Sequence, residues 1–231
     1  MNMFVVKIGG SLLYDDNEQI NAKLISKYAK TIKNVFEKEN KKCVIIVGGG
    51  KLARKFIEAS RSLGATEAYN DVLGIEMAKL NARLLISALG SSAYPNPPNS
   101  YQEFQKLTSI TDEIIVCGGF QPGQSTNAVA AIIAETLSAK KLINLTNVDG
   151  VYSEDPKKNP DAKLLAEISI DDFSSLVNQE STKAGYYPLF DITALQIIQR
   201  SKIHLHFVNG FNTDNIEKAL LGKNIGTQII F

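Results

Sequence analysis

Short, wholly apolar runs alternate with longer stretches of helical periodicity along this chain. The run Cys43–Val47 has no polar alternation, which suits a strand buried on both faces, as in a parallel sheet between helices. Met3–Ile8, Ile114–Cys117, Lys141–Asn147, His204–Val208 and Thr227–Phe231 read as further strands. Between them, Asn17–Glu39 carries Ile20, Leu24, Tyr28, Ile32, Val35 and Phe36 at steps of three and four, the spacing of one buried helical face. The pattern predicts further helices over Lys51–Leu63, with Gly64 as its C-cap, and over Glu67–Leu89, with Val72, Ile75, Leu80, Leu84, Leu85 and Ala88. Asn127–Leu137, Asp171–Asn178, Thr193–Arg200 and Thr213–Leu221 complete the helices. The prolines at 95, 97 and 98 keep Tyr94–Asn99 irregular, and Lys183–Asp191 also reads as irregular. This alternation predicts an α/β fold, a three-layer αβα sandwich on a mostly parallel sheet. It is read as a single domain over 1–231, with at most a weak boundary near Ala139 or Lys140.

Composition narrows the function classes. With 44% hydrophobic and 21% charged residues, the chain is an ordinary globular protein. A net charge of +1 gives no footprint for nucleic acid, so any phosphate recognition must be local. Cys43 and Cys117 lie in apolar strands and read as buried free thiols, which fits a reducing cytosol. The longest apolar run, Ala128–Ala134, falls far short of the ~20 residues of a membrane span. Lys7 and Gly9 interrupt the first strand too early for a signal peptide. A cytoplasmic protein with no membrane or nucleic-acid partner is expected. His204 and His206 share a strand face, but without a further Cys or His partner they read as structural.

The chemistry lies in three glycine clusters, each following an apolar strand: Gly9-Gly10-Ser11, Gly48-Gly49-Gly50, and Gly118-Gly119 with Gly123. In a parallel sheet these loops open on one edge, where ligands bind. The helix after Gly50 turns its free N–H groups toward that edge and makes an anion site. Neither G-x-x-x-x-G-K-[ST] nor G-x-G-x-x-G occurs, which excludes the P-loop and the usual dinucleotide fingerprint. Lys7, two residues before Gly9, is placed to set an ammonium over the glycine loop. Arg54, one turn into the helix, can grip an anion bidentately. The run Thr146–Tyr152, with Asp155-Pro156, is dense in groups able to hold a base and ribose, and Asp149 ends a strand there.

These residues resemble the amino-acid kinase superfamily: Lys7–Ser11, Val47–Gly50, Thr146–Tyr152 and Asp155-Pro156 carry the likeness over nearly the whole chain. Within it, Lys51–Arg54, Asp71–Ile75, Asn81-Ala82 and Gly118–Thr126 are similar to uridylate (UMP) kinases of the archaeal type. An isopentenyl phosphate kinase is expected to carry a His near the triple glycine, where this chain has Val47 before it and no His after.

The resemblance implies transfer of the γ-phosphoryl group of Mg-ATP to UMP, directly and in line, with Mg²⁺ held by the substrate phosphates rather than by a protein ligand set. It implies catalytic roles for Lys7, on the transferring group, and Asp149, organising the charges. Gly10, Ser11, Gly50, Arg54, Thr146, Tyr152 and Asp155 are expected to bind ATP. Gly49, Asp71, Phe120, Gln121, Pro122, Gly123, Gln124, Ser125 and Thr126 are expected to bind UMP. The lobe 1–139 would then hold UMP and the lobe 140–231 ATP. A hexamer built as a trimer of dimers, through the helices Asn17–Glu39 and Lys51–Leu63, is also implied. Asn127 stands where the family often has Asp, Asp191-Ile192 replaces an expected Asp-Pro, and Lys183–Pro188 is unusual. A sister kinase with another acceptor, or a non-catalytic nucleotide-binding module, is the alternative.

Overall fold

A computed structural model describes residues 3–39, 42–154, 159, 161–181 and 190–231. The expectations for Asp155-Pro156 and Lys183–Pro188 fall outside these residues. Seven strands form one sheet: β1 Phe4–Ile8, β2 Cys43–Val47, β3 Ile115–Cys117, β4 Lys141–Thr146, β5 Glu167–Ser169, β6 His204–Asn209 and β7 Thr227–Ile230, in the order β3-β2-β1-β4-β6-β7-β5. β1, β2, β3, β4 and β6 run parallel, whereas β7 pairs antiparallel with β6 and carries β5 parallel to itself. The sheet is therefore mostly parallel, with a reversed edge.

Eight helices cover the sheet among the described residues: α1 Ala22–Glu39, α2 Gly50–Ser62, α3 Glu67–Leu89, α4 Tyr101–Ile110, α5 Thr126–Thr136, α6 Ile170–Ser181, α7 Ile192–Ser201 and α8 Thr213–Leu220. Alternate strand residues feed two cores. Val5, Ile46, Cys117, Leu142 and Phe207 pack with residues of α4, α5, α6 and α7. Val6, Ile8, Ile45, Val116, Leu145 and Val208 pack with residues of α1, α3 and α8. A sheet buried on both faces explains why its strands lack polar alternation.

The start of α1 differs from the sequence reading. Asn17–Gln19 is a turn rather than helix: Tyr14 bridges antiparallel to Ile20, and Glu18 takes φ +61°. The helix starts only after Asn21, whose Oδ1 accepts from Leu24 N at 3.0 Å, and Ile20 is left 50% exposed. A side-chain cap overrode the apolar spacing. Two elements had not been foreseen, α4 and β5. His206 is buried with Nε2 against Ile225 O, and burial pushes its pKa down to about 4, consistent with a neutral core histidine.

Candidate active site

The carboxyl ends of β1, β2, β3, β4 and β6 share one edge, and the glycine loops meet there. The ladder continues past the strand ends: Gly9 N donates to Leu145 O at 2.9 Å and Gly48 N to Ile8 O at 3.0 Å. This draws the β1 and β2 loops together until a Cβ on Gly10 would overlap Gly50 N and Gly48 O, and one on Gly50 would overlap Gly10 O. Gly50 also needs its φ of +74°, which an L side chain resists. A Cβ on Gly48 would sit 2.9 Å from Gly10 N and 3.3 Å from Thr126 Oγ1, so the start of α5 joins the same junction. Gly10, Gly50 and Thr126, assigned to different substrates from sequence, are thus brought side by side.

The underside of the triple glycine is held by α3. Asn81, 2% exposed, donates from Nδ2 to Gly48 O at 2.8 Å and to Gly49 O at 3.0 Å. Its Oδ1 accepts from Tyr14 Oη at 2.8 Å. Gly49 lies over Ala53 and Gly74 O, where a side chain would collide.

Lys7 lies on β1 between Ile46 of β2 and Asn144 of β4 in register. Burial lowers its pKa to about 8, while the Asp191 carboxylate opposes the fall. Asp191 is the N-cap of α7: Oδ1 accepts from Ala194 N at 2.9 Å and Oδ2 from Ser125 Oγ. Ser125 is in turn the N-cap of α5, accepting from Ala128 N at 3.0 Å. Phe190, fully buried against Phe173 and Phe207, fixes the chain just before Asp191. Among the described residues, the buried amide oxygens Asn144 Oδ1 and Asn127 Oδ1 have no hydrogen-bond partner. Asn144 is the register neighbour of Lys7 and shares its face of the sheet.

Among the residues expected from sequence to bind UMP, Asp71 of α3 reaches across to the β3 loop, where Oδ2 accepts from Gly123 N at 2.8 Å. Phe120 packs on Phe104 with ring centroids 6.4 Å apart. Gln121, Pro122 and Gly123 are exposed, and Gln124 N donates to Gln121 O at 3.3 Å. A cavity of about 240 Å³, lined by Ser100, Tyr101, Gln102, Phe120, Gln121, Gln124 and Ile132, backs this loop.

Among the residues expected from sequence to bind ATP, Thr146 is buried and its Oγ1 accepts from Val148 N at 3.1 Å. Asp149 is exposed, accepting from Asn209 Nδ2 at 2.8 Å and from Tyr152 Oη at 3.2 Å. The carboxylate acting on Lys7 is Asp191, which the sequence reading noted only as a departure and gave no role. Ser11 is half-buried on the 3-10 turn Gly10–Leu13, and Arg54 stands on the exposed side of α2. Asp155 lies outside the described residues.

Beside the carboxylates of Asp71, Asp149 and Asp191, the site offers a set of donors, the glycine-loop N–H groups and the Lys7 ammonium. Such a set fits phosphate oxygens. Among the described residues no three His, Cys, Asp or Glu gather as a metal site. No helix among them is long and apolar enough to cross a membrane.

Comparisons with known proteins point the same way. The chain matches the amino acid kinase family over residues 2–209. It is 44% identical to a uridylate kinase of Methanobrevibacter smithii over 226 residues, 98% of each chain. It is 41% identical to a uridylate kinase of Hyperthermus butylicus over 97% of this chain and 96% of that one. The crystal structure of uridylate kinase from Archaeoglobus fulgidus superposes with a TM-score of 0.83 at 38% identity, covering 99% of this chain and 100% of that chain.

Proposed function

This chain belongs to the amino acid kinase family, and from that premise we propose that it is a UMP kinase, an ATP-dependent transferase that converts UMP and ATP to UDP and ADP for pyrimidine nucleotide synthesis. The observation that carries the reading is full-length likeness, at 44% and 41% identity, to proteins named uridylate kinase. The geometry supports it: the β1 and β2 glycine loops and the start of α5 meet at one point, where the phosphate of UMP and the γ-phosphate of ATP can face each other.

The roles are those the family resemblance implies. UMP occupies the side of Gly49, Asp71 and Phe120–Thr126, in the lobe 1–139. ATP occupies the side of Thr146, Asp149 and Tyr152, in the lobe 140–231, with Gly10, Ser11, Gly50 and Arg54 on its phosphates; Asp155 keeps the ATP role that the resemblance implies. Lys7 at the junction stabilises the charge on the equatorial oxygens of the transferring group, and Asp149 helps arrange the charges around it. Transfer is direct and in line, a reaction that needs positioning and positive charge rather than a covalent intermediate. Mg²⁺ brought in with ATP would be held largely by the phosphate oxygens and would supply further charge neutralisation.

A cytoplasmic homo-oligomer, a hexamer of three dimers, completes the proposal. Apolar side chains left exposed on α2 (Phe56), at its C-cap (Leu63) and on α3 (Tyr69, Val72 and Leu80) support a self-contact there. Light scattering during gel filtration tests it. The activity test incubates the protein with Mg-ATP and UMP, CMP, acetylglutamate or isopentenyl phosphate. UMP-dependent ADP release is expected; release no greater than the no-acceptor blank overturns the reading.

A further inference from the structure

The triple-glycine loop adopts a particular backbone shape. Gly49 is right-handed, at φ −71° and ψ −31°, and Gly50 follows at φ +74°. A right-handed residue followed by a left-handed one turns successive N–H groups to the same side, the concavity called a nest, which binds anions. The peptides here are trans, with no cis bond among the described residues. In a trans peptide the N–H lies opposite the C=O. Fixing Gly48 O and Gly49 O therefore fixes the directions of Gly49 N–H and Gly50 N–H.

Asn81 fixes both oxygens with one amide group. Its Nδ2 lies 2.8 Å from Gly48 O and 3.0 Å from Gly49 O, on the α3 side of the loop. The two N–H groups must then face away from the Asn81 amide, and Gly50 N lies against Gly10. An Asn amide can rotate, and Tyr14 removes that freedom by donating to Oδ1 at 2.8 Å. Tyr14 is itself buried, and its ring lies beside Gly50. Two aligned bonds to carbonyls in a dry setting tolerate little tilt of the peptide planes.

We infer that Asn81, oriented by Tyr14, is a positioning residue that aims the Gly49–Gly50 nest at a substrate phosphate, though it touches no substrate itself. The inference rests on the phosphoryl-transfer reading of the site, but its central readout is independent of which acceptor is used.

The test compares wild type with Tyr14→Phe, Asn81→Leu and the double variant. ¹H–¹⁵N shifts of Gly49 and Gly50 are followed during titration with inorganic pyrophosphate, beside melting temperatures and the constants for ATP. Tyr14→Phe removes one hydroxyl from an otherwise intact ring. It should move both amide signals, shrink their response to pyrophosphate and lower kcat/KM for ATP about tenfold, the loss from one well-made buried hydrogen bond. The double variant should lose no more than Asn81→Leu alone, because the two side chains act as a unit. Unchanged amide signals and pyrophosphate response in Tyr14→Phe would overturn the inference, whatever happens to Asn81→Leu. If wild type shows an Asn81-dependent pyrophosphate response but no UMP-dependent ADP release, the nest stands and only the acceptor assignment fails.

Discussion

Replacing Lys7 with Met should abolish phosphoryl transfer and yet stabilise the protein. Burial holds the Lys7 pKa near 8 against an ordinary value of 10.5, even with Asp191 pulling the other way. That gap corresponds to about 3 kcal/mol of unfavourable ammonium burial at neutral pH, at about 1.4 kcal/mol per tenfold. The residue is only half-buried by exposed area, so solvent screening makes this an upper bound, and a gain of about 1–3 kcal/mol is expected. In a chain of this size that is a rise in melting temperature of about 3–10 °C. The sign has a pH signature. Between pH 8 and 10.5 the unfolded chain binds more protons at Lys7 than the folded one, so this group makes wild-type stability rise with pH there. The advantage of the variant should therefore be full at pH 7 and shrink as pH climbs through that window. Thermal melts of both proteins at pH 7, 8.5 and 10 measure it. A variant that is less stable than wild type at pH 7, or whose advantage does not change with pH, would refute the argument. Stability given up at one buried ammonium is the kind of cost a charge-stabilising site carries.

Other outcomes follow from the same contacts. Asp191→Asn keeps a good N-cap on α7 but removes the carboxylate that favours the Lys7 ammonium; the melting temperature should stay within about 2 °C while the alkaline limb of kcat moves to lower pH. Asp71→Asn weakens the 2.8 Å bond from Gly123 N, and steady-state kinetics should show KM for UMP rising about tenfold with KM for ATP little changed. Gly10→Ala should lose activity outright because its Cβ meets backbone, whereas Gly123→Ala meets open space and should cost only the strain of φ +79°, about 1–2 kcal/mol by denaturant unfolding.

Much of this architecture was legible because the physics behind it is local. Cys43–Val47 is apolar throughout since both faces are covered, and the glycine clusters mark strand ends where two loops touch. α4 escaped notice behind three prolines, with only Phe104 and Leu107 buried. Its signal was a capping box: Ser100 Oγ accepts from Glu103 N at 3.2 Å and Glu103 Oε2 from Asn99 N at 2.7 Å. β5 is three residues long with one buried side chain, too short to carry a pattern. Asp191 and Asn81 were missed as working parts for another reason. What they do depends on Lys7, Tyr14 and the glycines, far away in the chain, and no spacing rule reaches across that distance. Asn81 was legible only as part of the likeness to uridylate kinases, without a role; its burial against two carbonyls makes it a clamp.

The contact between Gly10 and Gly50 has a consequence for how this sequence can vary. Each glycine is the wall that forbids a side chain at the other. Enlarging one does not make room; it pushes the neighbouring loop away and opens the junction where the phosphates would meet. No order of single changes lets the pair drift apart while the loops stay closed, so two positions forty residues apart in the chain are inherited as if they were one.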